Sequence, residues 1–127
     1  MIFFSVSAQK RDKLEALRVD FISKRLELTN DEAEKFWPLY NEYNDKVRAL
    51  KKNLRQSYHQ YNGQSDDQAE KLYQLDLQSR QAEADLHRTY GEKIKAVIGV
   101  RKTVRLKIAE EDFRKEMINT IRERGDQ

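Results

Sequence analysis

The side chains of this 127-residue chain that could take part in catalysis or metal binding are two histidines and many carboxylates, and there is no cysteine. The absence of cysteine excludes thiolate chemistry, disulfides and thiolate zinc sites. His59 and His87 lie far apart, and the sequence contains no nucleophile–base pair and no glycine-rich phosphate loop. We therefore predict that the protein is not an enzyme and has no catalytic, cofactor-binding or metal-ligating residue.

The charged residues are nearly balanced, with 25 basic and 22 acidic side chains and a formal net charge of +3. Acidic residues recur four positions before basic ones, which is the spacing of ion pairs along a solvated helix face. Examples are Asp31 with Lys35, Glu42 with Lys46, Glu110 with Arg114 and Glu111 with Lys115. This balance, without a recognised nucleic-acid motif, predicts that the protein does not bind nucleic acid.

With catalysis, metal binding and nucleic-acid binding not predicted, binding to other proteins is the function that the sequence favours. Three aromatic residues, Trp37, Tyr58 and Tyr73, lie outside the apolar seams described below and are candidates for an exposed binding face. The basic run over 46–55 is explained by pairing with acids of an opposite helix, and the alternative is that it steers acidic unfolded clients. The candidate protein-binding or dimer surface consists of Trp37, Tyr58, Tyr73, Lys51, Lys52 and Arg55.

Long helices are expected to position these residues, because the chain has one proline, four glycines and few β-branched residues. Thr29 and Glu32 have the spacing of a capping box that starts a helix over about 30–61. Its apolar residues step alternately by four and three positions, which indicates a coiled-coil-like seam. That seam consists of Phe36, Tyr40, Tyr43, Val47, Leu50, Leu54 and Tyr61, with Ser57 at the position between the last two.

A second long helix is predicted over about 66–98. Asn62-Gly63 ends the preceding helix, and Ser65 with Gln68 has the spacing of another capping box. The seam of this helix consists of Leu72, Leu75, Ser79, Ala82, Leu86, Tyr90, Ile94 and Val97. Two long helices joined by so short a turn predict an antiparallel hairpin in which His87 faces Tyr40.

Shorter helices are predicted on both sides of the hairpin, from Lys10 to Leu28 and, after a break at Gly99, from about Arg101 to Arg122. The first is expected to pack through Leu14, Leu17, Phe21 and Leu28, with Ile22 and Leu26 beside them. The last is expected to make apolar contacts through Val104, Ile108, Phe113, Met117 and Ile121. The predicted fold class is an all-α domain of four helices.

Pro38, the only proline, lies deep inside the helix predicted over 30–61. A proline there removes the backbone hydrogen bond to the carbonyl of Glu34 and clashes with that carbonyl. We therefore predict that the helix bends at this point, next to the aromatic residues Phe36, Trp37 and Tyr40.

Residues 1–8, MIFFSVSA, resemble the end of a secretory signal, because an apolar run precedes Val6-Ser7-Ala8, a site similar to those of signal peptidase. We interpret them as a signal-peptide remnant, with the start codon assigned downstream of the true one; a plain apolar arm is the alternative. This interpretation predicts a periplasmic protein with one helical domain over 9–122 and a frayed tail over 123–127. The chain has no run of about 20 apolar residues, so no membrane span is predicted.

The capped and proline-containing segment over 26–50 resembles the Leu-Thr-x-x-Glu/Gln segment of the Spy/CpxP family of periplasmic stress proteins. It is more similar still to a Bacteroidetes group labelled "sensor of ECF-type sigma factor", whose Ala-Glu-x-x-Phe-Arg pattern also recurs near the end of this chain. The matching residues are Leu28, Thr29, Glu32, Ala33, Phe36, Pro38, Tyr40, Ala109, Glu110, Phe113 and Arg114.

The resemblance implies an all-helical periplasmic protein, often a cradle-shaped dimer, that acts as an ATP-independent chaperone or as an inhibitor or sensor in envelope-stress signalling. We therefore expect a non-enzymatic protein that binds unfolded or partner protein through a curved helical surface. We also expect a homodimer that buries Trp37, Tyr73 or both. The alternative is a regulatory sensor, including a metal-responsive one, that docks on a membrane-anchored anti-sigma or signalling protein.

Overall fold

The computed structural model describes residues 2–63 and 65–125, with side chains from Gln9 onward. Three helices account for nearly all of these residues: α1 (Ile2–Leu26), α2 (Asn30–Gln60) and α3 (Asp66–Gly125). No β-strand occurs in this part of the chain. The prediction of an all-α fold is confirmed.

The predicted number of four helices is wrong, because the segments assigned to the third and fourth helices form one element, α3. The break expected at Gly99 is a single residue with non-helical dihedral angles, φ 84° and ψ 164°. Glycine adopts this conformation without the strain that a Cβ would cause, so the helix resumes directly after it without a loop. α3 also includes residues 123–125, which were predicted to fray, and α1 includes residues 2–8.

The chain divides into two compact units, Met1–Ala33 with Ile98–Gln127, and Glu34–Val97. Within the first unit, α1 packs against the C-terminal part of α3. The rings of Phe21 and Phe113 lie 5.4 Å apart. The Arg25 guanidinium lies 4.6 Å from the centre of the Phe21 ring and donates a hydrogen bond of 2.9 Å to the Asp112 carboxylate. This arginine therefore links the two helices through an ion pair while it covers an aromatic face.

The core of the first unit agrees only in part with the residues expected. On α1, Ile22 and Leu26 are fully buried, whereas Leu14 and Leu17 are exposed. On α3 the buried residues are Ile98, Leu106, Ala109 and Phe113, of which Phe113 was predicted, whereas the predicted Val104, Ile108 and Ile121 are exposed. Apolar residues occur on more than one face of each helix, so the spacing alone does not determine which face is packed.

The junction of α1 and α2 contains the predicted capping box. The Thr29 N–H donates to Glu32 Oε1 over 3.0 Å, and the Glu32 N–H donates to Thr29 Oγ1 over 3.1 Å. Lys102 Nζ donates to the same Glu32 oxygen over 2.6 Å and to the Glu27 carbonyl over 3.0 Å. One lysine of α3 thus satisfies a carbonyl at the end of α1 and neutralises the carboxylate that caps α2.

Glu32 gives a prediction for the pH dependence of stability. The hydrogen bond from Lys102, followed by that from the Thr29 N–H, lowers the pKa of Glu32 below its ordinary value of 4.5. A carboxyl group with a lowered folded-state pKa stabilises the protein above its unfolded pKa, and this stabilisation is lost as the pH falls through the folded pKa. We therefore expect Glu32→Gln to lower the Tm near neutral pH, and the difference from wild type to shrink below pH 4.5.

Thermal unfolding followed by circular dichroism, from about pH 7 down to about pH 3, measures this difference across the transition. The control is Glu34→Gln, which removes an exposed carboxylate for which no ion pair is found among the described residues. This variant should stay close to wild type at every pH. A Glu32→Gln difference that does not change with pH would contradict the prediction.

Within the second unit, α2 and α3 form an antiparallel pair. Near the turn the Tyr58 hydroxyl donates a hydrogen bond to Asp76 Oδ2, and farther from it the rings of Tyr43 and Tyr90 lie 5.8 Å apart. Gly63 in the connecting turn has a φ of 78°, the left-handed conformation expected of a glycine after a helix. These contacts agree with the predicted hairpin.

His87, which was predicted to face Tyr40, contacts Tyr43, one helical turn along α2. Its Nδ1 lies 3.4 Å from the Tyr43 hydroxyl oxygen. Side chains on a helix lean toward the N-terminus of that helix. In an antiparallel pair the side chains of the two helices lean in opposite directions. A side chain of α3 therefore contacts a residue of α2 with a higher number than the residue whose backbone lies opposite it.

Candidate protein-binding surface

Three aromatic rings of α2 form a cluster around Pro38. The ring centres of Phe36 and Tyr40 lie 5.2 Å apart in a stacked arrangement, and Trp37 meets both rings edge-on at 4.8 and 5.5 Å. Phe36 and Tyr40 are buried, whereas Trp37 is half-buried. The cluster is therefore mainly part of the core. Of its three rings, only that of Trp37, which was predicted to be exposed, is partly open to solvent.

α2 remains helical through Pro38, which lies well inside the element. The carbonyl of Glu34 lacks the usual N–H donor from position 38, since proline has none. The predicted bend remains a prediction.

The second group of candidates lies on one side of the hairpin near its turn. We call it the Tyr58 surface, and it consists of Lys51, Arg55 and Tyr58 on α2 with Tyr73, Leu77 and Arg80 on α3. Spacings of four and three residues place the α2 members on one face of that helix, and the same spacings place the α3 members on one face of theirs. The hydrogen bond from Tyr58 to Asp76, between Tyr73 and Leu77, shows that the two faces adjoin.

The apolar groups of the Tyr58 surface are widely exposed. Tyr58 is 48%, Tyr73 59% and Leu77 46% exposed to solvent. Large apolar side chains scattered singly on a surface are ordinary, but three on adjoining faces form a patch. The patch combines aromatic rings, one aliphatic side chain and three cations.

Asp76 is the electrostatic centre of this surface. It accepts the Tyr58 hydroxyl and, at its other oxygen, the Arg80 Nε over 2.6 Å. These hydrogen bonds, that from Tyr58 first and that from Arg80 second, lower the pKa of Asp76. The same contact with Asp76 raises the pKa of Tyr58. At neutral pH the carboxylate is therefore ionised and the phenol protonated, so the Tyr58 ring is held in place while its faces stay open to solvent.

The remaining predicted cations are exposed but differ in position. Lys51 Nζ lies 3.7 Å from a carboxylate oxygen of Glu83, which agrees with the interpretation of the basic run as paired with acids of the opposite helix. Arg55 is exposed on the same face, with no ion pair among the described residues. Lys52 follows Lys51 directly and is therefore turned about 100° around the helix, away from the Tyr58 surface.

Sequence reasoning missed Leu77, Asp76 as a ligand of Tyr58, and Arg80. The exposure of Leu77 could have been predicted from the sequence. It lies between the seam positions Leu75 and Ser79 and therefore points away from the seam. It lies four residues after Tyr73, so the two share a face of α3. The Asp76–Arg80 pair has the four-residue spacing of a helix ion pair and could have been found from it, whereas the contact of Asp76 with Tyr58 depends on the packing of the two helices and leaves no local signal.

Most of the residues on which the family resemblance is based lie in a helix cap or in the core. Thr29 and Glu32 cap α2, and Leu28 and Ala33 beside them are half-buried. In the C-terminal motif Ala109 and Phe113 are buried and Glu110 is half-buried, and Arg114 donates to Glu111 over 2.5 Å. Most of these residues therefore contribute to the capping of α2 or to the core.

The seam next to the turn contains an open groove of about 300 Å³. It is lined by Ser57, Gln60, Tyr61, Gln68, Lys71, Leu72 and Leu75. Ser57 occupies a seam position but donates its hydroxyl to the Asn53 carbonyl over 3.1 Å, so it leaves space opposite the leucines. The groove reflects loose packing at this end of the hairpin.

In the described part of the chain, no group of three His, Asp or Glu side chains is arranged to hold a metal ion. Over the same residues, no helix combines the length and the apolar content required to cross a membrane. In comparisons with family models, curated proteins and solved structures, the chain matches none of them.

Proposed function

We propose that this protein is a non-enzymatic envelope-stress protein of the Spy/CpxP type, which binds unfolded or partially folded proteins in the periplasm. The observation that carries the proposal is the Tyr58 surface, where Tyr58, Tyr73 and Leu77 are each about half exposed beside three cations. No ATP site or catalytic machinery is required for such binding. Two features of the sequence support the assignment to the periplasm. They are the family resemblance and the similarity of Val6-Ser7-Ala8 to a signal-peptidase site.

The composition of the Tyr58 surface suits unfolded clients. Tyrosine offers a large apolar area and a polar hydroxyl, and it loses little conformational freedom on binding. Arg55, which has no ion pair among the described residues, adds a positive potential that attracts acidic segments, whereas Lys51 and Arg80 are paired with Glu83 and Asp76. A surface that is shallow, partly apolar and basic accepts many sequences with modest affinity, as expected of a holding chaperone.

The predicted homodimer is part of this proposal. Trp37 and Tyr73 were the two residues expected at its interface, and Tyr73 is the more exposed of the two. If Tyr73 is buried between two copies, client binding and dimer formation compete for the same surface. Sedimentation velocity at micromolar concentration, on wild type and on the variant described next, separates the two roles.

The test is the aggregation of an acidic, chemically denatured model protein, followed by light scattering after dilution. Wild type should suppress scattering at near-stoichiometric ratio. The double variant Tyr73→Ser/Leu77→Ser should need about tenfold more protein for the same effect, because it removes two of the three exposed apolar groups while the core is unchanged. No suppression by wild type, or equal suppression by the variant, would overturn the proposal.

The matched control is Leu14→Ser/Leu17→Ser, which removes two exposed leucines from α1 in the other unit. It should suppress aggregation as well as wild type does. Circular dichroism and the Tm must show that both double variants are folded. Equal loss in both variants would mean that general hydrophobicity, and not the Tyr58 surface, binds the client.

A further inference from the structure

A second apolar surface lies on the outer side of α3 in the first unit. Val100, Val104 and Ile108 are 62%, 56% and 57% exposed. They follow one another at steps of four residues and so form a narrow ridge along the helix. The opposite side of the same helix supplies the buried Leu106, Ala109 and Phe113. This ridge, here called the outer ridge, therefore has no packing role within the unit.

The charges beside the outer ridge are basic along most of its length; the exception is Glu111, one turn after Ile108, which is paired with Arg114. From Gly99 to Ala109 the helix carries Arg101, Lys102, Arg105 and Lys107, and no acidic residue. Lys102 is used by Glu32 and the Glu27 carbonyl. The other three are exposed, and no ion pair is found for them among the described residues. An occupant of the ridge is therefore attracted if it brings acidic groups to both sides of its apolar contact.

The width of the ridge distinguishes between occupants. A row of side chains at four-residue spacing fits the groove between the rows of another helix. Valine and isoleucine are restricted in rotamer, so little side-chain freedom is lost when they pack. A helix that binds at a membrane surface usually has a broad apolar face with tryptophan, phenylalanine or leucine, which three β-branched residues do not provide.

A second copy of the chain fits the outer ridge less well. A twofold interface brings the same patch of each copy together. With the ridge at its centre, the Arg101, Arg105 and Lys107 side chains of one copy would approach those of the other. Like charges brought together at an interface oppose association.

We propose that the outer ridge is a docking site for an acidic amphipathic helix of another protein. The partner helix would place aliphatic side chains against Val100, Val104 and Ile108, and glutamate or aspartate side chains beside Arg101, Arg105 and Lys107. This site lies in the unit formed by residues 1–33 and 98–127, whereas the Tyr58 surface lies in the other. It is a specific helix-docking site, which the general binding of unfolded clients does not require.

The probe is a synthetic helical peptide of three heptads with leucine at the a and d positions and glutamate at e and g. The comparison peptide has lysine in place of each of those glutamates. Titrations followed by fluorescence anisotropy in low salt measure both affinities. Wild type should bind the acidic peptide at least about tenfold more tightly than the basic one, and added salt should weaken this binding.

Two variants locate the binding. Val104→Glu/Ile108→Glu places charge on the ridge, and Arg101→Glu/Lys107→Glu reverses the charge beside it; each should weaken binding of the acidic peptide about tenfold or more. The controls are Val19→Glu and Lys10→Glu/Lys13→Glu, which make the same kinds of change at exposed positions of α1. The altered side chains are exposed, so all variants should keep the wild-type Tm.

Three results would overturn the proposal. The first is similar affinity for the two peptides, or equal losses in ridge and control variants. The second is binding to vesicles of anionic phospholipid that the ridge variants abolish, which would assign the ridge to a membrane surface. The third is a wild-type dimer that Val104→Glu/Ile108→Glu dissociates, which would assign it to a second copy.

Discussion

Replacing Phe36 by alanine is expected to lower the free energy of unfolding by about 3 to 5 kcal/mol. Phe36 has no exposed surface, and its ring stacks on Tyr40 and meets Trp37 edge-on. The substitution removes buried apolar area, leaves a cavity and breaks both ring contacts. Because domains of this size are stable by only about 5 to 15 kcal/mol, a loss of this size should be obvious in urea unfolding.

Two further variants define this result. Phe36→Leu keeps an apolar side chain of similar volume and should lose about 1 kcal/mol, which isolates the contribution of the aromatic contacts. Tyr73→Ala removes a tyrosine that is 59% exposed and should change the stability by no more than about 0.5 kcal/mol. If Phe36→Ala cost no more than Tyr73→Ala, Phe36 would not belong to the core.

Replacing Pro38 by alanine is expected to stabilise the isolated protein by about 1 to 3 kcal/mol. Alanine restores the N–H that the carbonyl of Glu34 lacks, and it removes the ring that clashes with that carbonyl. The same change should straighten α2 and move Trp37 relative to Lys51 and Arg55. Trp37 lies outside the Tyr58 surface but was predicted from the sequence to belong to the binding face; if it takes part, binding of a client should weaken although the fold becomes more stable, the expected cost where a local strain serves function.

Thermal unfolding and the aggregation assay, on the same samples, test this pair of effects. Gln56→Ala, an exposed substitution in the same helix, should leave stability within about 0.5 kcal/mol and binding unchanged. A lower Tm for Pro38→Ala with unchanged suppression of aggregation would contradict the prediction that the proline serves binding at the expense of stability. In that case the proline is a packing device around which the seam is built.

Features that depend on a few neighbouring residues were predictable from the sequence. The capping box of Thr29 and Glu32 has the expected pair of hydrogen bonds, and Gly63 and Gly99 have the positive φ angles that end or interrupt helices. Each follows from local sterics and hydrogen bonding. The number of helices was not predictable in this way, since a single non-helical glycine can either end an element or merely interrupt it.

Features that depend on tertiary partners were predicted less well. Val104 and Leu106 are both aliphatic residues of one helix, yet Val104 is exposed and Leu106 is buried. Which of the two is buried depends on where α1 packs against α3. The spacing of apolar residues in the sequence does not determine that position. Lys102 reaches Glu32 across 70 positions of the chain, and Asp76 reaches Tyr58 only because of how α2 and α3 pair. Of the candidate surface, Lys51, Arg55, Tyr58 and Tyr73 come together, whereas Lys52 and Trp37 lie elsewhere.

Site-specific photo-crosslinking tests the central claim, that unfolded proteins bind the Tyr58 surface. A photoreactive amino acid is placed at position 73 in one sample and at position 10 of α1 in another, and each is irradiated with the denatured client during aggregation. Both positions are exposed, so general proximity affects them alike. The account predicts a strong crosslink from position 73 and little from position 10. Equal crosslinks from both positions, or a crosslink from position 10 alone, would contradict it.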